Sequence, residues 1–537
     1  MTRVHRSSSH GVGLRGLDAV ASSVSTEGRF GRMFRNVPVF EHRVEDLSAL
    51  AATMIAPVDP RDSEPVSADD PPDDRENPLI PAGYTYLAQF VDHDITFDPV
   101  SSLQRQNDPD GLHDFRTPRL DLDSLYGRGP ADQPYLYRNG LQPAPHPEFG
   151  FDQRGVTFLP GVHPSDLPRN SEGRALIGDP RNDENVIVSQ LHVAFSSFHD
   201  RMVEHLFQER GLDGEELFAE AQRLVRWHYQ WVVIHDLLPR IVDGDPGDGS
   251  TSESGVIHDV LRSEALATSG GREARIRRPE LRFFHWQVQP FLPVEFAVAA
   301  YRYGHSAVRP SYVINDAVHR QRGGRRVPIL ASSRDPLASL RGFGPLPDGW
   351  GVEWKHFFDV DGSHRPQRGF RIDTALPPPL GELSWLPDMP NLARRNLIRG
   401  LRMGLPSGQG VARAMGIRPL SDADLSPRAG SADDAPSAPG FQGNAPLWFY
   451  VLREAELLAD GQHLGPVGGR IVAEVLVGLV TGDPTSWLSV EPDWRPPLSH
   501  DGRFGMPELL RFASGARASA GTKPQGALDR WRHKFGD

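Results

Sequence analysis

Several short polar clusters in this sequence carry the residue types that move protons or hold cations. The first is Gln89-Phe90-Val91-Asp92-His93-Asp94, set inside the apolar run YLAQFVDHDITF. A histidine changes charge near neutral pH, and carboxylates beside it can hold a cation. Polar groups in an apolar run are costly to bury without partners. The same residues fit an exposed helix face equally well. The second cluster is Thr117-Pro118-Arg119-Leu120-Asp121-Leu122-Asp123-Ser124-Leu125-Tyr126-Gly127. Oxygen donors at Thr117, Asp121 and Asp123 suit a hard cation such as calcium, which takes carboxylate, hydroxyl and carbonyl oxygens together. Asp94 could add a further carboxylate. An Asx-rich turn is the plainer reading.

The third cluster is Gly178-Asp179-Pro180-Arg181-Asn182-Asp183-Glu184-Asn185. As acidic residues at a helix N-terminus it would only complement a helix dipole. The fourth is Tyr301-Arg302-Tyr303-Gly304-His305-Ser306, and the fifth runs from Asn391 through Arg394-Arg395-Asn396 to Arg399-Gly400, then Gly404-Leu405-Pro406. A lone histidine after an apolar stretch is usually a packed or hydrogen-bonded one. Gly11-Val12-Gly13-Leu14-Arg15-Gly16 fits a dinucleotide fingerprint, but a Ser-rich polar tail precedes it where a strand is required. No HExxH motif occurs.

The elements that must position these residues are mainly helical. From Ile187 the apolar residues Leu191, Ala194, Phe195, Phe198, Met202 and Leu206 keep a helical period. Phe218–Ile241 does the same, Pro290–Tyr303 and Leu392–Leu401 are weaker candidates, and Ile471–Val480 reads as a buried helix. Strand-like alternation is scarce and short. Residues 60–78, 243–254 and 422–440 have loop or linker composition. Residues 1–27 read as a flexible tail and 516–537 as a polar one, leaving 28–515 as one large domain.

The chain has 537 residues, a net charge of −12 and no cysteine. That excludes disulfides, thiol catalysis, all-cysteine zinc sites and thiolate-held haem. The acidic balance disfavours nucleic-acid coating. Positive charge is nearly all arginine, with lysine only at Lys355, Lys523 and Lys534, as a GC-rich genome would produce. No stretch reaches transmembrane length and no apolar segment follows the N-terminal charges. The expectation is a soluble protein without a signal peptide, cytoplasmic or exported by a non-Sec route.

Taken together and in this order, the five clusters resemble the animal-type haem peroxidases of the peroxidase–cyclooxygenase superfamily, which include myeloperoxidase and lactoperoxidase. The resemblance runs from GRFGRMF at residue 28 to about residue 515. It implies that family's fold: mainly α, one large helical domain with long loops and few short strands. His93 matches the distal histidine that shuttles the peroxide proton, Arg181 the distal arginine whose cation stabilises developing charge, and Gln89 the distal glutamine. His305 matches the proximal iron ligand. Asn396 matches the asparagine that accepts a hydrogen bond from that ligand's other nitrogen. Asp92 and Glu184 match the carboxylates ester-linked to haem in the vertebrate enzymes. Asp94, Thr117, Arg119 (through its carbonyl), Asp121 and Asp123 match the calcium ligands.

The resemblance therefore implies haem b, with ester links through Asp92 and Glu184 open to it, and Ca2+. It implies hydrogen peroxide and a small electron donor as substrates, a halide, thiocyanate or an aromatic compound being oxidised through an oxo-ferryl intermediate. No nucleic acid, membrane segment or obligate protein partner is implied. Asn185 stands where myeloperoxidase forms a sulfonium link, so that link should be absent. Leu401-Arg402-Met403 replaces the vertebrate Asp-His pair before Gly-Leu-Pro. The lack of disulfides points to a bacterial-type member, with a role in oxidative stress. The superfamily's fatty-acid dioxygenases and cyclooxygenases carry a radical-forming tyrosine three residues before the proximal histidine. Arg302 occupies that position here, as in the peroxidases. A lipid oxygenase is the alternative, followed by a homologue without turnover and a calcium-stabilised binding protein without haem.

Overall fold

The computed structural model describes residues 28–515 apart from 68–69, 71–72, 98–106, 109–111, 139–155, 160, 162–164, 245–254, 262, 268–272, 278, 334, 385, 387, 427–440 and 500–502. Both tails, the glycine motif at 11–16 and most of the two later linkers lie outside the described residues.

Helix dominates. The elements that matter here are α1 (Val44–Thr53), α2 (Ala82–Ile95), the short α3 (Asp123–Tyr126), α4 (Val186–Arg210), α5 (Gly214–Val232), the short α6 (Gly304–Ala307), α7 (Leu392–Arg402), α8 (Leu447–Ala459), α9 (Pro466–Gly482) and α10 (Met506–Ala513). Strands are brief. β1 (Gly28–Gly31) lies beside β3 (His113–Asp114), antiparallel, and β4 (Leu292–Pro293), parallel; β2 (Glu76–Pro81) pairs antiparallel with β5 (Arg368–Phe370). Buried apolar side chains from Phe30 to Leu510 form one contiguous core.

The 187–206 periodicity appears as α4. Asn185 starts it by accepting from the Val188 N–H at 2.9 Å, and Gly211, at φ 65°, ends it. Such a left-handed stop is what glycine supplies without Cβ strain. The 218–241 helix is present but not uniform: a wider π turn spans Val233–Leu237 before helix resumes at Leu238–Val242. Pro239 explains the change, since it lacks an N–H and its ring crowds the preceding turn. The Pro290–Tyr303 helix is a correction. Only Val294–Ala297 and a 3-10 turn at Ala300–Tyr303 are helical, and the chain bends at Ala299. Pro293 and the β-branched Val294 and Val298 leave too short a run to propagate. The 60–78 loop also ends earlier, because Glu76 already pairs in β2.

Three helices are locked around one aromatic cluster. Phe90 of α2 stacks on Phe195 of α4 at 4.9 Å, and Tyr229 of α5 meets Phe195 edge-on at 5.6 Å. All three are fully buried. This fixes α2, which carries His93. The glutamate in the apolar run of α9 is also explained. Glu474 is buried and accepts the N–H groups of Arg282, Phe283 and Phe284 at 3.1, 2.7 and 3.0 Å.

Candidate active site

The polar cluster on α2 is not an exposed face. Every residue from Ala82 to Ile95 is buried except Gln89 and Asp92. One helical turn separates these two, so they share a side of the helix. Both are half-buried, and polar groups so placed need partners. The Gln89 amide donates to Glu184 Oε1, and Asn185 Nδ2 donates to Gln89 Oε1 at 3.4 Å. His93 Nε2 lies 3.5 Å from Glu184 Oε1, and its Nδ1 lies 2.9 Å from Asn182 Oδ1. Gln89, His93 and Glu184 thus meet, with Asp92 on the same helix side.

Arg181 closes the end of α2. Its guanidinium donates to the carbonyls of His93, at 2.9 Å, and Thr96, which the helix end leaves without intrahelical donors. It also lies 4.7 Å from the Phe97 ring centre. Asp179 anchors it, accepting the Arg181 N–H at 2.8 Å and pairing with Nη2 at 2.8 Å. Arg116 pairs with the same carboxylate. Burial opposes ionisation of Asp179, but the Arg181 and Arg116 cations, with His93 behind them, hold it below the usual carboxylate range. The reading of 178–185 as a helix start is also correct locally, through the Asn185 cap; the same segment delivers Arg181 and Glu184 to α2.

Asp94 points away from this cluster into the second one. Its carboxylate accepts from the N–H groups of Leu122, at 3.1 Å, and Ser124, at 3.3 Å. Leu122 adopts φ 57°, rare for a branched side chain, and that bend turns the loop toward Asp94. Asp94, Asp121 and Asp123 bring their carboxylate oxygens within 4.8 Å of one another. Thr117 Oγ1 donates to Asp121 at 2.9 Å, and the Arg119 N–H donates to the Thr117 carbonyl at 2.8 Å. Burial and then repulsion from Asp121 push Asp94 upward; burial pushes Asp123 up against the Arg116 cation, with Asp121 and Asp94 adding to the rise; burial also raises Asp121, with Arg226 pulling it back. Asp123 Oδ1 and Ser124 Oγ are buried without a hydrogen-bond partner among the described residues. Three carboxylates with spare oxygens, packed this closely, fit a divalent cation and strain the fold without one.

The fourth and fifth clusters meet on another side of α2, against which α6 packs. His305 Nδ1 lies 2.8 Å from the Asn396 amide. Asn396 Nδ2 faces the ring and Oδ1 faces Arg302 Nη1 at 3.4 Å. Ligation of a metal through His305 Nε2 needs the reverse, with Nδ1–H donating to Oδ1. A half-turn of the terminal amide exchanges the two atoms without moving the backbone. Burial, with the Arg302 cation beside it, pulls His305 down to about 3, which keeps the ring neutral. Neutral imidazole is the ligand form.

A flat tetrapyrrole needs open space beside its ligand. A Cβ built on Gly304, next to His305, meets nothing within 4 Å. Gln89 and Asp92 on α2, and Arg302, Gly304 and His305, are only partly buried although most of their sequence neighbours are buried. These residues fit haem held by His305. In place of the vertebrate Asp-His pair, Met403 is buried and the Arg32 guanidinium donates to the carbonyls of Met403, at 3.2 Å, and Gly404.

Comparison with known proteins points the same way. Residues 105–340 match the profile of the animal haem peroxidases. That match spans 236 of the 537 residues. The chain is 25% identical to thyroid peroxidase of Sus scrofa over 388 residues, covering 68% of this chain and 38% of the relative. It therefore spans about two fifths of that relative's length. The fold resembles peroxidase A from Dictyostelium discoideum, with a TM-score of 0.54, 14% identity and 94% and 91% of the two chains covered. It also resembles fatty acid alpha-dioxygenase from Arabidopsis thaliana, at 0.52 and 14%, over 92% and 76%. No helix among the described residues is long and apolar enough to cross a membrane.

The matched region contains Arg181, Glu184, His305 and the calcium-type loop. His93 and Asn396 lie outside it, yet the tertiary structure brings them to the same place. Sequence reading missed Asn182, His192, Arg116 and Asp179. Asp179 alone had a local signal, as an Asx residue before the proline that opens a 3-10 turn at Pro180–Asp183.

Proposed function

We propose that the chain is a haem-dependent peroxidase that reduces hydrogen peroxide and oxidises a halide, thiocyanate or a small aromatic donor. The observation carrying this reading is the group on α2. His93, with one nitrogen occupied by Asn182 and the other turned toward Glu184, sits beside Gln89 and is tied through its carbonyl to Arg181. Haem held through His305 would supply the redox centre that accepts oxidising equivalents from peroxide and passes them to the donor. His93 Nε2 takes a proton from peroxide and returns it to the departing oxygen. Arg181, fixed to the His93 carbonyl, keeps a cation close to that transfer. Gln89 holds Glu184 in place. Asn396 orients His305 once its amide presents Oδ1. Asp92 and Glu184 are the carboxylates available for ester links. Asp94, Thr117, Asp121 and Asp123, with the Arg119 carbonyl, bind calcium and pin the residue next to His93. Consumption of peroxide suits a role in oxidative stress.

The test is an absorption spectrum of the purified protein, then peroxide with bromide, thiocyanate, a phenol or linoleate offered separately. A Soret band and peroxide-dependent oxidation of a halide or phenol are expected. Absence of the band refutes the haem reading. Oxygen uptake with linoleate, without peroxide-driven oxidation, favours lipid oxygenation. Two observations keep that second reading in play. The fold resembles a fatty acid dioxygenase, and the buried hydroxyls of Tyr301 and Tyr303 lack hydrogen-bond partners among the described residues. Arg302 at the expected tyrosine position argues against it. For the ester links, haem that stays with the denatured chain after turnover, and is released in Asp92→Ala and Glu184→Ala variants, is the expected outcome.

A further inference from the structure

His93 can act as a base through only one ring nitrogen at a time, and its surroundings divide the two. Nδ1 lies 2.9 Å from Asn182 Oδ1. Nε2 has Glu184 Oε1 at 3.5 Å, too long for a good hydrogen bond. Asn182 does not end the chain of contacts. Its Nδ2 lies 3.2 Å from Nδ1 of His192, on the first turns of α4. His93, Asn182 and His192 are all buried, at 4%, 0% and 3% exposure.

A neutral imidazole offers one donor and one acceptor, and an amide offers both. The three side chains therefore have two consistent settings. In the first, His93 Nδ1–H donates to Asn182 Oδ1, and Asn182 Nδ2–H donates to bare Nδ1 of His192. In the second the amide is turned by half. Asn182 then donates to His93 Nδ1, and the His93 proton sits on Nε2, whose lone pair is lost to chemistry. The distances select the first. N–H···O bonds cluster at about 2.9–3.0 Å, which matches the His93 contact, while the longer contact is the nitrogen–nitrogen one. His192 also has to stay neutral to accept. Burial pulls it down to about 3 against the opposing pull of the Asp179 carboxylate. A charged His192 would donate from both nitrogens and turn the amide round.

We infer that Asn182, itself oriented by His192, is a positioning residue that keeps the His93 proton on Nδ1 and leaves Nε2 as the free base. The use made of that base rests on the peroxidase reading; the tautomer does not. Without the relay, His93 would divide its proton between the two nitrogens, and the carboxylate of Glu184 would draw it to Nε2.

The test has two readouts on the haem-loaded protein. Histidine labelled with 15N, observed in the diamagnetic ferrous carbonyl form, reports which nitrogen of His93 carries the proton. Nδ1–H is expected in the wild type and a mixture or Nε2–H in Asn182→Leu. Rapid mixing then separates the peroxide step from the donor step. Asn182→Leu should slow the peroxide step by roughly 100-fold, the low end for losing a general base, and leave the donor step, calcium content and ferric Soret band unchanged. Asn182→Asp keeps an acceptor for His93 Nδ1–H and should restore most of the rate. A merely structural role would show the reverse order, because the buried charge of aspartate disturbs packing more than leucine does. A wild-type His93 protonated on Nε2, or a leucine variant reacting with peroxide at the wild-type rate, overturns the inference. A wild type that ignores peroxide refutes the peroxidase reading, and the tautomer measurement then still decides this one.

Discussion

Replacing Asp94 with asparagine should stabilise the protein in chelator and destabilise it in calcium. The carboxylate oxygens of Asp94, Asp121 and Asp123 lie within 4.8 Å of one another. Two unit charges at that spacing repel by about 3.5 kcal/mol at an effective dielectric constant of ~20. Asp94 belongs to two of the three pairs, so Asp94→Asn relieves at most about 7 kcal/mol when no cation is bound. The figure is a ceiling, since a proton on any of the three already lowers it. Against it stands one lost hydrogen bond, because the asparagine NH2 must face the N–H of either Leu122 or Ser124. That costs about 1–3 kcal/mol. The net in chelator is a gain of a few kcal/mol. In calcium the variant has lost one ligand charge, so the cation's stabilisation shrinks or disappears. Urea denaturation of both proteins at neutral pH, with EGTA or with millimolar calcium, should show the order of stability reversing between the two conditions. Metal analysis should find calcium in the wild type and little in the variant. Since Asp94 follows His93 and Arg181 bonds the His93 carbonyl, chelation of the wild type should also slow its reaction with peroxide. Equal destabilisation of the variant in both conditions, or a wild type indifferent to chelator, would refute the reasoning.

Gly178→Ala should cost about 1–3 kcal/mol, as overpacking does, and weaken calcium binding. A Cβ there falls 2.6 Å from the Ser124 carbonyl oxygen and 2.9 Å from that of Asp123, both backbone atoms with little room to move; titration with calcium followed by melting checks it. Burial pushes Glu454 up from 4.5 to about 7, against the N–H groups of Val467 and Gly468 that favour its charge. With the folded value raised, the unfolded chain ionises first, so stability falls as pH rises from 4.5 to about 7 and then levels off. Glu454→Gln should match the wild type below that window and exceed it by up to about 3 kcal/mol above it, in denaturant unfolding compared across pH; a constant difference would count against the buried-acid account. Phe90→Ala removes the ring stacked on Phe195 at 4.9 Å and should cost about 3–5 kcal/mol in urea unfolding, whereas a loss below about 1 kcal/mol would mean the site collapses around the gap.

Much of the candidate site was legible because its chemistry is written in short local clusters. His93 with Asp92 and Asp94, Arg181 with Glu184, and Arg302 with His305 each lie within three residues of one another in the chain, and such local order survives folding. The helix periods of α4, α5 and α7 were legible for the same reason, since an apolar stripe at helical spacing must be buried. Pro290–Tyr303 was not, because its apolar residues carry no information about the bend at Ala299. The sequence could not distinguish an exposed face from a buried one around Gln89–Asp94. That choice depends on whether partners exist to satisfy the polar groups, and those partners, Asn182, Glu184 and Arg181, lie about ninety residues away. The joining of His93 to His192 through Asn182, of Asp94 to Asp121 and Asp123, and of Asn396 to His305 has the same character. By itself the sequence determined which chemical groups are available and which elements carry them. Only the tertiary structure decided which nitrogen of His93 is held and which carboxylates come within 4.8 Å of one another, because hydrogen bonding and charge repulsion depend on distances of a few ångströms between segments far apart in the chain.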